Sequence, residues 1–349
     1  MDGEGGTAEA SKVRSKDGEE ESAMKELKRK VEAVVKASSW WERRGLDCAI
    51  LAGAFAVCLP AGFLLLRSSE ALRFACGLLL MGVAHAVITV KGSHMASHGA
   101  LSQSPAANRF WALFFIEICG AFSAHVTAAG HLKLHHAYTN VIGLGDSSVW
   151  KFPRLPRLLY LFVAPLAMPV ITPLAALAEL GSASAVLLLR TVLLILLGVA
   201  SHFWLLLAVS GFRSPLGAGL CMLATRAMFS LPFIHVNIFQ HIGLAMYSRS
   251  ARPARLLQMS HGVLNLPRNV LLDWTFGHSL ISCHVEHHLF PFLSDNMCLK
   301  VKPVVRRYLA DQNLPYQEDG YFSRLRLFFH KYQELMVAAP PITRLVGIQ

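Results

Sequence analysis

Six long stretches of apolar residues alternate with polar segments along most of the chain. Each is close to the roughly 20 residues that a helix needs to cross a bilayer. The stretches cover residues 48–66, 71–90, 110–130, 158–180, 185–211 and 216–236. Only residues 67–70 join the first two stretches, which predicts a tight helical hairpin. The pattern therefore predicts an all-α integral membrane protein.

The segments outside these stretches are polar or amphipathic. The first residues are rich in Gly, Glu, Ser and Lys, with little to bury. In the next segment apolar positions recur at helical spacing among lysines, and Trp40 and Trp41 follow, which is typical of a helix lying on a membrane. The predicted division is a disordered tail over 1–22, an amphipathic interfacial helix over 23–47, a membrane catalytic domain over 48–335 and a C-terminal tail over 336–349.

Composition supports a membrane location. Hydrophobic residues make up 54% of the chain and charged residues only 16%, a balance that excludes an ordinary water-soluble domain. The formal net charge is +11, and the basic residues lie near segment ends and in the C-terminal third. No basic stripe with interleaved aromatics and no zinc-finger spacing is present, so nucleic acid is not an expected partner. Membrane lipids and an acidic protein are better candidates.

Charge also predicts orientation. The basic segment before the first stretch and Lys91 after the second mark the side expected to face the cytosol. The beginning of the chain lacks the pattern of a signal peptide, so we expect a cytosolic N-terminus. Beyond residue 236 the chain is amphipathic and basic, which predicts a helical cap and a C-terminus on the same cytosolic side.

Nine of the sixteen histidines fall into four short groups beside apolar stretches. Helical residues three or four apart share one face, so two imidazoles of a group could bind one metal. Adjacent histidines point about 100° apart and could serve two metals. The grouped histidines are His94, His98, His131, His135, His136, His241, His284, His287 and His288.

The number of grouped histidines indicates more than one metal. Imidazole suits iron, zinc, copper or nickel, and nine imidazoles exceed what one four-coordinate zinc can use. Two five- or six-coordinate irons would use them all. Carboxylate di-iron bundles instead combine Glu with Glu-x-x-His pairs, and no such set is present. His278 is the one ungrouped histidine that we single out, whereas Arg190 and Arg226 are expected to pair within the protein.

The site constrains the topology. The groups at His94 and His131 must meet, although the apolar stretch 110–130 lies between them, so this stretch is expected to be re-entrant or interfacial. Three apolar stretches lie between residues 150 and 237, and the histidine groups before and after them must lie on the same side of the membrane. An odd number of crossings would separate these groups, so one of the three stretches is expected not to cross. We therefore expect four transmembrane helices, two embedded segments and a cytosolic helical cap that holds the metals.

The histidine runs resemble the three boxes of the membrane fatty-acyl desaturase family, H-x(3,4)-H, H-x(2,3)-H-H and H/Q-x-x-H-H, in that order. The run H-L-K-L-H-H-A-Y-T-N-V-I-G-L-G-D over 131–146 is similar to the second box with its trailing T-N and Asp. The run D-W-T-F-G-H-S-L-I-S-C-H-V-E-H-H-L-F-P over 273–291 is similar to the third. The resemblance covers roughly residues 40–331.

The resemblance implies an O2-dependent oxidoreductase that introduces a double bond into a fatty-acyl chain. It implies that the nine histidines bind two iron ions and that Asn237 matches an asparagine that holds its iron through water. It also implies a location in the endoplasmic reticulum. The haem-binding motif H-P-G-G is absent, so electrons are expected from a separate cytochrome b5 with its reductase.

The first box departs from the family pattern. H-M-A-S-H lacks the acidic residue that commonly follows its first histidine, so a carboxylate that orients an imidazole must come from elsewhere. The candidates are Asp146, Asp273 and Glu286.

Two other functions remain open. A di-iron lipid hydroxylase or monooxygenase would use the same boxes, and a catalytically silent membrane protein could keep the fold to bind a lipid or a partner. A metal transporter is disfavoured, because the histidines lie at helix ends and transport sites lie near the bilayer centre.

Overall fold

The computed structural model describes residues 5–145, 155–181 and 183–337. Within these ranges the regular structure is helical, with three isolated β-bridges and no strand, which confirms the all-α prediction for this part of the chain. All six apolar stretches form helices. The main helices are α1 (Gly5–Ala37), α2 (Trp41–Leu65), α3 (Ala71–Ser97), α4 (Pro105–Cys119), α5 (Ala124–His135), α6 (Leu159–Glu179), α7 (Ala185–Ala208), α8 (Pro215–Phe239), α9 (Arg255–Gly262), α10 (Val270–Thr275), α11 (His284–Leu289), α12 (Asp295–Asp311) and α13 (Tyr321–His330).

Helix α1 covers most of the predicted tail and part of the predicted interfacial helix. It begins at Gly5, within the range predicted to be a disordered tail. Its apolar positions Leu27 and Val31 are 0% and 1% exposed, because they pack against the helices that follow α8 and not against lipid. Trp40 and Trp41 stay exposed and fit the predicted interfacial position. The tail predicted over 336–349 lies, from residue 338 on, outside the described residues.

Helices α2 and α3 form the predicted hairpin. A short turn joins them, and Phe63 and Leu66 pack with Met81 at that end of the pair. The hairpin returns the chain to the end where α2 begins, and that end carries His94 and His98.

Helices α4 and α5 are bent by 115° with respect to each other. His98 precedes this pair and His131 lies within its second half, yet their Nε2 atoms are 2.9 Å apart. A full crossing would separate the two residues by about the 30 Å of the hydrocarbon core. The bent pair therefore returns to the side from which it started, as the sequence predicts for a re-entrant segment.

Close packing holds the bent pair among the apolar helices. Gly198 of α7 faces the backbone of Ile118, and a Cβ at this glycine would collide with the Ile118 carbonyl oxygen. Arg190 Nη2 lies 2.7 Å from Glu117 Oε1, and Arg226 Nη2 donates to the carbonyl of Cys119 (3.0 Å). Both embedded arginines pair within the protein, as expected for charges among apolar helices.

Contacts give the direction of the later apolar helices. Ser210, just beyond α7, donates to the Phe63 carbonyl at the turn of the hairpin (2.8 Å), whereas Tyr160 of α6 clusters with Phe328 of α13. The 24 residues of α7 extend over about 36 Å, so α7 starts on the histidine side.

By length and composition, five helices could cross a membrane, and six if the bent pair is one span. The arrangement of four spanning helices and two embedded ones stays a prediction, and the return of α4–α5 supports it for one of the two embedded segments.

The helices after α8 enclose their own apolar core with α1. This core, which we call the cap core, joins the buried residues Leu27, Val31, Met259, Val285, Leu289, Val301 and Val305. Since Val285 and Leu289 belong to the helix that carries the third histidine box, packing of α1 and α12 fixes that helix in place.

Replacement of Leu27 by Ala is expected to destabilise the protein by about 2–5 kcal/mol, because it leaves a cavity in the cap core. Unfolding in detergent, followed by near-UV circular dichroism, measures this change. Arg29→Ala on the exposed face of the same helix is the control and should change stability by less than about 0.5 kcal/mol. Equal stability of both variants would mean that α1 does not pack on the cap.

Candidate metal centre

The nine grouped histidines come together in two adjacent clusters. In each cluster one ligand atom per residue lies within 4.8 Å of all the others. The first cluster consists of His94, His98, His131, His136 and His287, and the second of His135, His241, His284 and His288. Four separate segments of the chain thus converge at one place.

Adjacent histidines divide between the clusters, as the sequence predicts. His135 belongs to the second cluster and His136 to the first; His287 belongs to the first and His288 to the second. Their side chains point in different directions because neighbours on a helix are rotated by about 100°.

The partner of His131 is set by the local helix geometry. In an α-helix His131 would share a face with His135, four residues later, but His131 shares its cluster with His136. The cause is local: residues Ala128–His135 form a π-helical segment, and the amide of His136 donates to the carbonyl of His131 (3.0 Å). In a π-helix the hydrogen bonds join residues five apart, so residues five apart lie one above the other.

The Nε2 atoms of the first cluster face one another. His98 and His131 approach to 2.9 Å, His131 and His136 to 3.2 Å, and His136 and His287 to 3.1 Å. The Nε2 atoms of His241 and His284, in the second cluster, are 2.9 Å apart. A metal bonded to imidazoles at roughly 2.0–2.1 Å places neighbouring ligand nitrogens about 3 Å apart, so these spacings fit two metal sites.

Hydrogen bonding alone does not account for these contacts. The Nε2 of His136 carries at most one proton but faces two other Nε2 atoms. The Nε2 atoms of His94 and His288 are buried and have no hydrogen-bond partner in the described part of the chain. Buried nitrogens in this state are stabilised when a cation accepts their lone pairs.

Burial also sets the protonation of the imidazoles. It lowers the pKa of His284 to about 3 and the pKa values of His241, His287 and His288 well below the usual range. These imidazoles are therefore neutral near pH 7, and neutral imidazole is the form that binds metals.

In three of the histidines the other ring nitrogen contacts an oxygen atom of the protein. Thr139 Oγ1 lies 3.1 Å from His288 Nδ1, and Ser279 Oγ lies 3.2 Å from His94 Nδ1. The Ser279 carbonyl accepts a hydrogen bond from His284 Nδ1 (2.9 Å). These contacts direct the Nε2 atoms into the clusters, the usual way in which proteins orient histidine ligands.

Asn140 joins three segments behind the site. Its Nδ2 is placed to donate to the carbonyls of His241 (3.4 Å), Ala245 (3.0 Å) and Gly262 (2.8 Å). Its backbone has φ +55°, in the left-handed region that asparagine tolerates better than most residues. The Asn of the trailing T-N therefore connects the second box to the segment that carries His241.

Arg255 makes a second connection between boxes. Its guanidinium donates to the carbonyls of His136 and His288, with a distance of 3.4 Å for the first. One side chain thus binds the backbone of the second and the third box.

Of the three carboxylates predicted to orient the histidines, Asp273 and Glu286 make no hydrogen bond to a clustered histidine in the part of the chain that the structure describes. Asp273 accepts from Ser282 Oγ (2.8 Å) and lies 3.3 Å from His278, which belongs to neither cluster. Glu286 accepts from Tyr316 and Asn265, and burial raises its pKa to about 7. Asp146 lies outside the described residues.

Asn237 lies one turn before His241. Its Nδ2 donates to the Phe233 carbonyl (2.7 Å), an interaction within its own helix. The iron-binding role that the resemblance suggests for Asn237 stays a prediction.

Sequence reasoning missed the residues that contact the ring nitrogens. Thr139 and Ser279 lie inside the runs that resemble the second and third boxes, so their position was a usable signal. Asp295 is connected to His94 through a shared partner, because it accepts hydrogen bonds from Ser279 and the Ser279 hydroxyl contacts His94. No pattern in the sequence connects Asp295 to the first box.

We expect Asn140→Asp to destabilise the metal-free protein by at least about 3 kcal/mol, because a carboxylate would face three carbonyls that now accept hydrogen bonds. Asn313→Asp is the matched control, since Asn313 has the same φ of +55° but is exposed. Unfolding of both variants with a chelator present measures the difference. Similar losses would mean that backbone strain and not the three hydrogen bonds makes Asn140 important.

Comparison with known proteins agrees with this geometry. The family described as Fatty acid desaturase matches residues 71–320. The chain is 57% identical over 329 residues to fatty acid desaturase 6 of Bos taurus, covering 94% of this chain and 96% of the relative. The identity to fatty acid desaturase 6 of Homo sapiens is also 57% over 329 residues, covering 94% and 92%. Fatty acid desaturase 3 of Bos taurus is 23% identical over 249 residues, covering 66% and 55%. The motif resemblance is thereby confirmed, and the chain belongs to the fatty acid desaturase family of oxidoreductases.

Proposed function

We propose that the chain introduces a double bond into a fatty-acyl chain at two iron ions bound by its two histidine clusters. The observation that carries this proposal is the division of adjacent histidines between the clusters, because the second and third boxes each supply ligands to both. One metal would leave four or five buried imidazoles without a purpose. Two metals fit the nine nitrogens.

The overall reaction balances with O2 as the oxidant. One C–C single bond of the acyl chain loses two hydrogens and becomes a double bond. O2 takes up these two hydrogens with two further electrons and two protons, and two waters form. Bound irons would supply the O2 activation and hydrogen removal for which the protein has no side chain of its own.

The protein residues keep the clusters ready for metal and exclude water. His284, His287 and His288 are at most 3% exposed. Their low pKa values keep them neutral, so no proton needs to leave before metal binds. Asn237 is assigned to hold one iron through water, and its position one turn before His241 supports this role.

Electrons are proposed to come from a separate cytochrome b5 with its reductase. The net charge of +11 supports an acidic partner, and the basic residues before α2 and after α8 flank the histidine clusters. By the same charge rule, this face and both termini are assigned to the cytosol, and the membrane to the endoplasmic reticulum.

Protein purified in detergent and loaded with Fe²⁺ is expected to hold two irons per chain. His287→Ala/His288→Ala should hold fewer than one, because the variant removes a ligand from each cluster. Elemental analysis of gel-filtered protein measures the content. His261→Ala/His330→Ala is the matched control, since neither residue belongs to a cluster, and it should keep two irons. A parent protein without iron would overturn the two-iron proposal.

Reconstituted protein should convert a saturated or monounsaturated acyl chain into a product with two hydrogens fewer. The assay contains lipid vesicles, acyl substrate, O2, cytochrome b5 and its reductase, and mass spectrometry detects the product. Labelled ¹⁸O2 should yield labelled water and an unlabelled acyl product, and omission of cytochrome b5 should abolish turnover. An acyl product that carries ¹⁸O would identify a hydroxylase instead.

A further inference from the structure

Three buried charges lie next to the first cluster. Lys91 Nζ is 2.8 Å from Asp47 Oδ1 and 2.6 Å from Asp295 Oδ2, and all three side chains are at most 2% exposed. Asp47 comes from α2, Lys91 from α3 and Asp295 from the first turn of α12. The triad therefore connects the membrane hairpin to the cap directly beside the histidines.

A buried ion pair is weak evidence for stability, because desolvation of the charges offsets most of their attraction. Apolar residues of similar volume are often at least as stabilising in such a position. Two carboxylate oxygens of the triad are not bound by Lys91: Asp47 Oδ2 accepts from the Asn296 amide within the α2–α12 contact, and Asp295 Oδ1 faces the histidines.

That oxygen, Asp295 Oδ1, accepts hydrogen bonds from both the backbone N and the Oγ of Ser279, with 3.0 Å for the backbone contact. Ser279 in turn touches one histidine of each cluster. Its Oγ lies 3.2 Å from His94 Nδ1, and its carbonyl accepts from His284 Nδ1.

The direction of the protons follows from these contacts. An ionised carboxylate only accepts, so the Ser279 hydroxyl gives its hydrogen to Asp295. Its lone pair is then available to accept from His94 Nδ1–H. A neutral His94 protonated on Nδ1 carries a lone pair on Nε2, and this Nε2 is the buried atom without a partner that faces the first cluster.

The backbone around Ser279 is built for this carboxylate. Gly277 has φ +101°, and a Cβ there would collide with the Asp295 carboxylate. The turn that carries Ser279 is thus packed directly on Asp295.

We propose that Asp47, Lys91, Asp295 and Ser279 form a positioning relay that sets the tautomer and orientation of His94. The relay acts in place of the carboxylate that the H-M-A-S-H box lacks, since its negative charge reaches His94 through the Ser279 hydroxyl. This inference rests on the proposed two-iron function. The relay acts on the first cluster, to which His94 belongs. The contact of Ser279 with His284, in the second cluster, is made by the Ser279 backbone carbonyl and does not depend on the hydroxyl.

The test compares Ser279→Ala with Ser282→Ala. Both serines are buried and both hydroxyls donate to a buried aspartate, but Ser282 contacts Asp273 and no clustered histidine. Each protein is loaded with ⁵⁷Fe²⁺ and dialysed against graded chelator. Iron content and the Mössbauer spectrum are then measured, with the unfolding midpoint of the metal-free protein as a check on folding.

In Ser279→Ala, the affinity for one iron is expected to fall about 10- to 100-fold while the other stays bound, as is typical when an outer partner of a ligand is lost. One of the two Mössbauer components should change. Ser282→Ala should keep both irons and the parent spectrum. Ser279→Cys keeps a donor at this position that hydrogen-bonds only weakly, and it should lie between the parent and the alanine variant.

Two results would overturn the relay. One is a parent and a Ser279→Ala protein that both hold two irons with the same affinity and spectrum. The other is a parallel loss of both irons with a lowered unfolding midpoint, which would indicate a purely structural serine. A parent that binds no iron would overturn the proposed function together with the relay, so the two failures are distinguishable.

Discussion

Nine neutral imidazoles in a small buried volume are the constraint on which the rest of this structure depends. Their Nε2 atoms lie as close as 2.9 Å to one another, and those of His94 and His288 have no hydrogen-bond partner in the described residues. Such an arrangement is unfavourable unless a cation accepts the lone pairs. The surrounding helices must therefore hold the rings in place against their own tendency to seek water.

The membrane helices meet this requirement by bringing both ends of the bent pair to one side. His98 before α4 and His131 within α5 are in contact because the chain turns back after Cys119. The bend is stabilised by the close approach at Gly198 and by the pairing of Glu117 with Arg190. A straight helix in this position would place the first and second boxes on opposite faces of the bilayer.

The cap also holds the imidazole rings in place, by apolar packing and by hydrogen bonds between the segments that carry the histidines. Helix α1 contributes Leu27 and Val31 to the core beneath the third box. Arg255 binds backbone carbonyls of the second and third boxes, and Asn140 connects the second box to the segment that carries His241, so a shift of one of these segments would cost hydrogen bonds at another. The buried triad around Lys91 adds a charged contact between the hairpin and the cap. The membrane helices and the cap are therefore joined to each other at the metal centre.

The sequence by itself determined the helical class, the six apolar segments and all nine clustered histidines. The physical reason is that bilayer thickness, helical periodicity and the preference of metals for imidazole act on local spacing. It also determined that His135 and His136 serve different clusters, because rotation along a helix separates neighbours.

Only the tertiary structure decided the partner of His131, the packing of α1 and the surroundings of His94. His131 pairs with His136 because a π-helical segment replaces the α-helical register that spacing rules assume. Leu27 faces the cap and not lipid, since an amphipathic pattern does not specify which apolar surface it meets. Lys91 looks in the sequence like a positive charge at a membrane surface, and it is buried because Asp47 and Asp295, 44 residues before it and 204 after it, meet it in the fold.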